Sequence, residues 1–378
     1  MKIQLGHTFQ DIISIDNLCL AWQEFLVGKS SKYDVREFGK NLMDNLISLR
    51  EELESKSYKH SPYESFFIHD PKLRHIHKAA VRDRLLHHAI HRILYPFFER
   101  TFISDTYSCR LGKGTLKAMD RFHSFYLKES RNHTKTCWVL KGDIKKCFAS
   151  IDQEILIDIL MNYIPDNEIM WLLEEVIRSF SDTPGIGLPL GNLTSQLFIN
   201  VYMNEFDQFV KHKLKCRYYL RYADDWAILS QDRVLLESLI SPIDSFLKER
   251  LHLTLHPKKI ILKTYASGVD FLGWIHFPKH RVLRTKTRYR MIKRLKDHPV
   301  NETLQSYIGL LSHGDAHETG EELFKITGFL GGMLCRSRHD LCTSLPSRSR
   351  GRPLGQMRLK LRLTPNSHVY LCSTPRNY

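Results

Sequence analysis

The segment RYYLRYADDWAILS, residues 217–230, places two adjacent aspartates, Asp224 and Asp225, inside a run that otherwise favours β-strand. Two ionised carboxylates a few ångströms apart repel each other by roughly 4 kcal/mol even at an effective dielectric constant of about 20. An apolar strand pair therefore needs a compensating charge here, or a solvated turn. A tight turn ending in Asp-Asp presents both groups to a divalent cation, and Mg²⁺ is usually held by carboxylate and phosphate oxygens.

A second acidic strand end lies upstream of this segment. The run WVLKGDIKKCF, residues 138–148, has strand character from Trp138 to Ile144 and carries Asp143. Two-metal phosphoryl transfer needs carboxylates from different parts of a chain. Asp143 with Asp224 and Asp225 therefore predicts such a site, while solvated strand and hairpin ends remain the alternative.

The order of apolar patterns predicts an α+β domain: strand, helix, Gly-rich loop, helix, then strand-turn-strand. Ser150 and Gln153 fit a capping box at the start of the first of these helices. Upstream, we expect a strand pair over about 66–76 and a helix from about Val81 to Leu94, which Pro96 ends. Leucines at three- and four-residue steps predict an exposed helical extension within residues 1–60.

Composition narrows the class of partner. A net charge of +15, from 56 Lys and Arg against 41 Asp and Glu, favours a polyanion such as nucleic acid. Eight cysteines without a C-x-x-C pair suggest neither a zinc ribbon nor a disulfide framework. Asp11 and Asp16 stand where a signal peptide would be uninterrupted and apolar. No apolar run reaches the roughly 18 residues that a membrane-spanning helix needs. We expect a cytoplasmic location with reduced thiols and no membrane.

Three segments in succession resemble the motifs of reverse transcriptases. YADD at 222–225 resembles the Tyr-x-Asp-Asp box of that family, and DIKKCFASID at 143–152 resembles its first catalytic strand. GLPLGNLTSQLFINVYMNEFD at 187–207 resembles the loop and helix that hold the template and the incoming nucleotide. The resemblance extends from about Asn17 to Leu330.

The resemblance implies a right-hand polymerase fold of the α+β class. The expected parts are an N-terminal helical extension (1–60), fingers (61–135), a palm that includes part of the fingers and the catalytic motifs (136–278), a reduced thumb (279–332) and a basic tail (333–378). For the tail, a disordered RNA-binding segment and a segment without a role both stay open.

The resemblance also implies roles for individual residues. Asp143, Asp224 and Asp225 would hold two Mg²⁺ ions, with Mn²⁺ as a substitute and with Ile144 included in the metal site. The lysine that protonates pyrophosphate would be either Lys258 or Lys259. Only one of them should reach it, because adjacent strand residues face opposite ways. We take Lys258 as the catalytic candidate. The expected dNTP-binding residues are Lys72, Arg74, Arg110, Lys113, Phe148 and Gln196, with a plain surface role open for Lys113. The expected template and primer residues are Gly191, Ser195, Tyr222 and Gly273.

One short pattern bears on the type of reverse transcriptase. Leu190-Gly191-x-x-x-Ser195-Gln196 resembles the enzymes of diversity-generating retroelements, which carry Ser-Gln where group II intron enzymes usually carry Ser-Pro. This resemblance implies copying of a template RNA into cDNA with errors at adenines, retrohoming, and a small basic accessory protein as partner. The alternatives are a group II-like, retron-like or phage-defence reverse transcriptase, and a non-catalytic RNA-binding scaffold.

Overall fold

The structure is a computed structural model that describes residues 3–69 and 73–327. The chain divides into two compact units between Lys279 and His280. Lys72 and the expected basic tail, 333–378, lie outside the described residues.

The N-terminal region is helical, but it is part of the main core. Its helices are α1 (Phe9–Ile13), α2 (Ile15–Leu26), α3 (Tyr33–Lys40) and α4 (Leu42–Glu54). Phe25 on α2 and Leu49 on α4 are buried in the same core as α5 (Val81–Glu99). The expectation of an exposed extension was wrong, because a leucine stripe reveals an apolar face without revealing which element covers it.

A β-hairpin and a long helix follow. Strands β1 (Glu64–Ile68) and β2 (Arg74–Lys78) pair antiparallel, which confirms the expected strand pair. Helix α5 continues past Pro96, so the prediction that this proline ends the helix was wrong. The buried rings of Phe97 and Phe98, which both pack edge-on against Tyr163, stabilise the additional turn.

The centre of the first unit is a four-stranded antiparallel sheet in the order β4-β5-β3-β6. Its strands are β3 (Trp138–Asp143), β4 (Tyr218–Tyr222), β5 (Asp225–Ser230) and β6 (Ile261–Thr264). Alternate side chains face opposite sides, so Leu140 and Ile228 enter one core while Val139 and Leu229 enter another. The first face packs on α9 (Leu193–Gln208), and the second packs on α6 (Thr115–Glu129).

The remaining elements of this unit surround the sheet. They are α7 (Gln153–Met161), α8 (Asn167–Arg178), a π-helical turn (Phe209–Lys213), α10 (Arg233–Ser238), α11 (Ile240–Leu251), and the antiparallel pair β7 (Val269–Phe271) and β8 (Trp274–His276).

The cap of α7 differs from the predicted one. The carboxylate of Asp152 accepts hydrogen bonds from the backbone N–H groups of Glu154 and Ile155, at 3.0 and 3.2 Å, and so acts as the N-cap in place of Ser150. The Gln153 amide instead donates to the carbonyls of Phe180 and Gly187, at 2.6 and 2.9 Å. It therefore holds the loop that leads towards α9.

Within residues 280–327, the second unit contains β9 (Arg281–Leu283) and the helices α12 (Thr285–Asp297), α13 (Asn301–Leu311) and α14 (His317–Thr327). These helices bury Met291, Leu295, Leu304 and Leu323. Within residues 3–69 and 73–327, no helix has both the length and the apolar character needed to cross a membrane.

Candidate active site

The three acidic residues meet at one end of the central sheet. Asp143 on β3 is the direct cross-strand partner of Asp225 on β5, so both side chains lie on the same face. Asp224 occupies the two-residue turn between β4 and β5, which Tyr222 and Asp225 close as a pair. Ala223 adopts φ +52° there, a left-handed conformation uncommon for alanine.

Backbone hydrogen bonds hold this end of the sheet in place. The N–H of Ile144 donates to the carbonyl of Asp224 at 3.3 Å, and the N–H of His256 donates to the carbonyl of Asp143 at 2.8 Å. The Ile144 side chain is buried in the core. Any contribution of Ile144 to metal binding would therefore come from its backbone carbonyl.

The electrostatics of the site favour a bound cation. Burial, followed by the neighbouring negative charges of Asp225 and Asp143, raises the pKa of Asp224 to about 6. Within the described residues, no three His, Cys, Asp or Glu side chains form a ready metal-binding cluster. Mg²⁺ nevertheless needs only one or two protein carboxylates beside water and phosphate oxygens. The donor set of hard oxygens fits this ion.

Two lysines contact the carboxylates. Lys259 Nζ lies 2.8 Å from Asp143 Oδ2, and Lys141 Nζ lies 3.1 Å from Asp225 Oδ1. Residues Pro257–Lys259 form a 3₁₀ turn, so the alternation of a strand does not apply to Lys258 and Lys259. Of these two lysines, Lys259 is the one that the structure brings to an aspartate.

The expected nucleotide and template residues from the central motifs lie on connected segments. Phe148 is half-buried in a 3₁₀ turn, Cys147–Ser150, and its carbonyl accepts from Leu188 N–H at 2.9 Å. Ser195 is buried and Gln196 is half-buried in the first turn of α9.

Gly191 joins this loop to the β1–β2 hairpin. It adopts φ +120°, and a Cβ atom at this position would lie 3.0 Å from Cγ2 of Ile76 on β2. The adjoining carbonyl of Leu190 accepts from His77 N–H at 3.0 Å. The positive φ requires glycine here, and the close approach to Ile76 also favours it.

The basic residues predicted to meet the triphosphate have different environments. Arg74 is exposed on β2, whereas Lys113 Nζ donates to the carbonyl of Ser104 at 2.6 Å. The Arg110 side chain is buried and donates to both Glu99 oxygens and to the Ile103 carbonyl. Its guanidinium is thus occupied by Glu99, at the end of α5, and by the carbonyl of Ile103, so Arg110 is not part of the proposed nucleotide site.

The two remaining primer-site predictions are turn residues or neighbours of a turn. The Tyr222 hydroxyl accepts from the Thr115 hydroxyl at 3.2 Å, which links the catalytic turn to the start of α6. Leu272 and Gly273, with φ +53° and +88°, form the two-residue turn between β7 and β8. Positive φ at both positions is the geometry of a type I′ hairpin turn.

A buried ion pair beside the site was not predicted from the sequence. Arg221 on β4 and Asp207 in the last turn of α9 are both fully buried, with Nη2 2.6 Å from Oδ2. The available signal was the charged residue in the middle of the apolar run YYLRY. Its partner lies 14 residues away on another element, and local patterns do not reveal such a pairing.

The chain is similar in sequence to known proteins. The family model described as reverse transcriptase (RNA-dependent DNA polymerase) matches residues 68–276. Protein YkfC of Escherichia coli K12 is 26% identical over 281 residues, which cover 64% of this chain and 72% of that protein.

Two further relatives carry names that refer to introns. The putative COX1/OXI3 intron 2 protein of Saccharomyces cerevisiae is 22% identical over 353 residues, covering 71% of this chain and 40% of that protein. The group II intron-encoded protein LtrA of Lactococcus lactis is 25% identical over 177 residues, covering 44% and 28%. The matched regions span less than half of these two proteins.

Proposed function

The chain belongs to the reverse transcriptase family of RNA-dependent DNA polymerases, and we propose that it copies a template RNA into cDNA for a diversity-generating retroelement. The observation that carries the polymerase chemistry is the register that sets Asp143 opposite Asp225, with Asp224 in the adjoining turn. Substrates of this reaction are the RNA template, a primer 3′ end and dNTPs.

The proposed metal site consists of Asp143, Asp224 and Asp225, with the backbone of Ile144 beside them. Two Mg²⁺ ions, or Mn²⁺ in their place, would lower the pKa of the primer 3′-hydroxyl and balance the charge of the leaving pyrophosphate. The protein positions these carboxylates through the β3–β5 register and the Ala223–Asp224 turn. Such prior positioning is the main contribution that a polymerase makes to phosphoryl transfer.

Lys259 is the proposed source of the proton for pyrophosphate. Its ammonium group lies 2.8 Å from Asp143 and its side chain is 46% exposed, so it can reach a phosphate beside that carboxylate. Arg74 and Lys113 are proposed to attract the triphosphate, where fixed positive charge stabilises the developing negative charge. Phe148, five residues after Asp143, is proposed to contact the sugar and exclude a 2′-hydroxyl group.

The proposed division of the chain assigns the fingers to 61–135, the palm to 136–278 and a short thumb to 279–332. The boundary between the two compact units, at Lys279 and His280, supports the end of the palm. Gly191, Ser195, Tyr222 and Gly273 are proposed to contact the template and the primer.

The retroelement assignment depends on the Ser195-Gln196 pair. The position of Gln196 in the first turn of α9, beside the loop that Gly191 joins to β2, supports a contact with the nascent base pair. A side-chain amide offers both a donor and an acceptor, so it can accept more than one base geometry. We propose that this reduces base selection opposite template adenines and that a small basic accessory protein assists the enzyme.

A second candidate is a group II intron-like reverse transcriptase. The names of the yeast and Lactococcus relatives favour it, since both refer to introns. An enzyme of this type has no need to concentrate errors at adenines, so the fidelity of the cDNA separates the two proposals.

The test is primer extension by the purified full chain on a defined RNA template with dNTPs and Mg²⁺. Asp224→Asn should abolish extension and retain RNA binding, because the fold keeps an isosteric side chain. Asp244→Asn on α11, whose partly exposed carboxylate pairs with Lys248 at 2.6 Å, is the matched control and should extend like the wild type. Wild-type rates from Asp224→Asn would overturn the catalytic assignment.

Sequencing the cDNA from the same reactions tests the retroelement type. Errors concentrated opposite template adenines would support it. Faithful cDNA would overturn it and favour the group II-like candidate.

A further inference from the structure

Arg221 lies on β4 one residue before Tyr222, and its side chain points to the face of the sheet opposite the carboxylates. It is 1% exposed, and its Nε and Nη2 donate to the two carboxylate oxygens of Asp207 at 2.7 and 2.6 Å. Its third donor, Nη1, bonds to the carbonyl of Ala223 at 2.9 Å. The guanidinium thus joins the last turn of α9 to the turn that carries Asp224.

Stability alone does not explain this buried charge. Removing two ions from water costs several kcal/mol each, and apolar residues of similar volume often stabilise a core as well or better. Arginine differs from an apolar residue in its planar fork, which can hold a carboxylate and a carbonyl at fixed angles. The structural feature that needs such a fork is the Ala223–Asp224 turn between β4 and β5.

Both peptide groups that flank Asp224 are held by other elements. Arg221 binds the Ala223 carbonyl on the N-terminal side, and Ile144 N–H on β3 binds the Asp224 carbonyl on the C-terminal side, at 3.3 Å. Fixing these two peptide planes fixes the backbone of Asp224 and hence the direction in which its Cα–Cβ bond projects the carboxylate. Ala223 also has φ +52°, which this residue type adopts only when surrounding contacts impose it.

We propose that Arg221, held by Asp207, is a positioning residue that aims the Asp224 carboxylate at the metal ions. This inference rests on the proposed function of Asp224. Asp207 lies in the last turn of the helix whose first turn carries Ser195 and Gln196, so the same contact ties the proposed template and nucleotide helix to the metal-binding turn.

The test variant is Arg221→Lys. Lysine keeps a positive charge for Asp207, but its single ammonium group cannot reproduce the fork that reaches Ala223. We expect kcat for primer extension to fall by about tenfold to hundredfold, as for a catalytic group displaced by about 1 Å, with KM for dNTP within about twofold. Mn²⁺ affinity, measured by electron paramagnetic resonance without nucleic acid, should weaken by at least about fivefold.

Tyr219→Phe is the matched control. The Tyr219 hydroxyl donates to the same Asp207 oxygen at 2.6 Å and is equally buried on the same strand, yet the bond involves no atom of the turn. We expect a lower Tm with kcat and Mn²⁺ affinity close to those of the wild type. If Arg221→Lys does not fold, Asp207→Asn replaces it, since the amide loses the charge that holds the guanidinium and should show the same kinetic signature.

The outcomes separate this inference from the proposed function. Unchanged kcat and Mn²⁺ affinity in a folded Arg221→Lys or Asp207→Asn protein would overturn the positioning role. Losses in Tyr219→Phe equal to those in Arg221→Lys would also overturn it, because they would follow stability alone. If the wild-type protein fails to extend primers, the proposed function is wrong. The comparison of Mn²⁺ affinity between wild type and variants would still test whether Arg221 positions the Asp224 carboxylate.

Discussion

Lys141 and Asp225 form an ion pair across the two central strands, with 3.1 Å between Nζ and Oδ1. The same ammonium group donates to the carbonyl of Asp270 on β7, also at 3.1 Å, and lies 5.6 Å from the centre of the Phe271 ring. One lysine therefore balances a carboxylate of the candidate site and fixes it relative to the β7–β8 hairpin.

Replacing Lys141 with methionine should slow primer extension. Asp225 would lose its positive partner and its link to the hairpin proposed to contact the primer. We expect kcat to fall by about tenfold, equivalent to ~1.4 kcal/mol of transition-state stabilisation, as measured in single-nucleotide extension. Lys141→Arg should retain most of the activity. The control is Lys263→Met, which removes a lysine on β6 that lies opposite Val139 of β3. Equal rates for Lys141→Met and wild type would argue against this role.

Gly142→Ala should destabilise the sheet that carries Asp143. A Cβ atom at Gly142 would overlap the ring of Trp226, approaching Cε2 to 2.5 Å, and that ring is fully buried. Overpacking of this kind typically costs about 1–3 kcal/mol, which urea unfolding followed by circular dichroism can measure. Gly39→Ala in α3 is the control, because its Cβ would lie at an ordinary 3.4 Å from Trp22 and alanine favours a helix. A Gly142→Ala protein as stable as the Gly39→Ala protein would contradict the packing.

Phe148→Val should admit ribonucleotides. If the Phe148 ring contacts the sugar of the incoming nucleotide, a shorter side chain leaves room for the 2′-hydroxyl. We expect the ratio of kcat/KM for dNTP over rNTP to fall by at least about tenfold, or ~1.4 kcal/mol of discrimination. Single-turnover incorporation opposite each template base measures it, and an unchanged ratio would remove Phe148 from the sugar site.

Stability should decrease as the pH falls below about 6.5, because α5 buries several neutral histidines. Burial lowers the pKa of His91 from 6.5 to about 4 and is the largest cause that lowers the pKa of His88 to about 3. The unfolded chain takes up protons near pH 6.5 while the folded chain does not, so the free energy of unfolding falls between pH 6.5 and about 4. At about 1.4 kcal/mol per pKa unit, each such group contributes up to roughly 3 to 5 kcal/mol to this loss.

His91→Phe tests the pH dependence of one of these groups. The new ring can keep the stacking of His91 on Tyr95, whose ring centres are 4.9 Å apart, but it cannot bind a proton. Urea unfolding at pH 7.5, 6 and 5 should show a shallower loss of stability for this variant. Identical slopes for variant and wild type would exclude His91 as a contributor.

The features predicted correctly from the sequence are those with a local pattern. The β1–β2 pair and the α+β order depend on residues close together in the chain, and the structure contains both. Local rules also failed where a neighbouring element determined the outcome. Pro96 did not end α5, because buried phenylalanines hold the next turn, and Asp152 took the cap predicted for Ser150.

The contacts that the sequence did not reveal join distant segments. Lys258 and Lys259 were predicted to lie on a strand and to face opposite ways. They lie instead in a 3₁₀ turn, which presents Lys259 to Asp143, 116 residues away. Arg110 was expected to bind dNTP, but its guanidinium donates to Glu99, eleven residues earlier at the end of α5. Arg221 and Asp207 become partners only because α9 packs against the sheet, and this packing is not visible in the sequence.

The strand register described above also restricts how the length of such a chain can vary in evolution. Successive strand residues face opposite sides, so inserting or deleting one residue in β3 turns the Asp143 side chain towards the face packed on α9. A substitution elsewhere in the strand leaves the carboxylate where it is. Descendants of this sequence can therefore exchange residues along β3 and β5 more readily than they can gain or lose them. Length changes should accumulate in connections such as the one between α2 and α3, where residues 27–32 are mostly exposed.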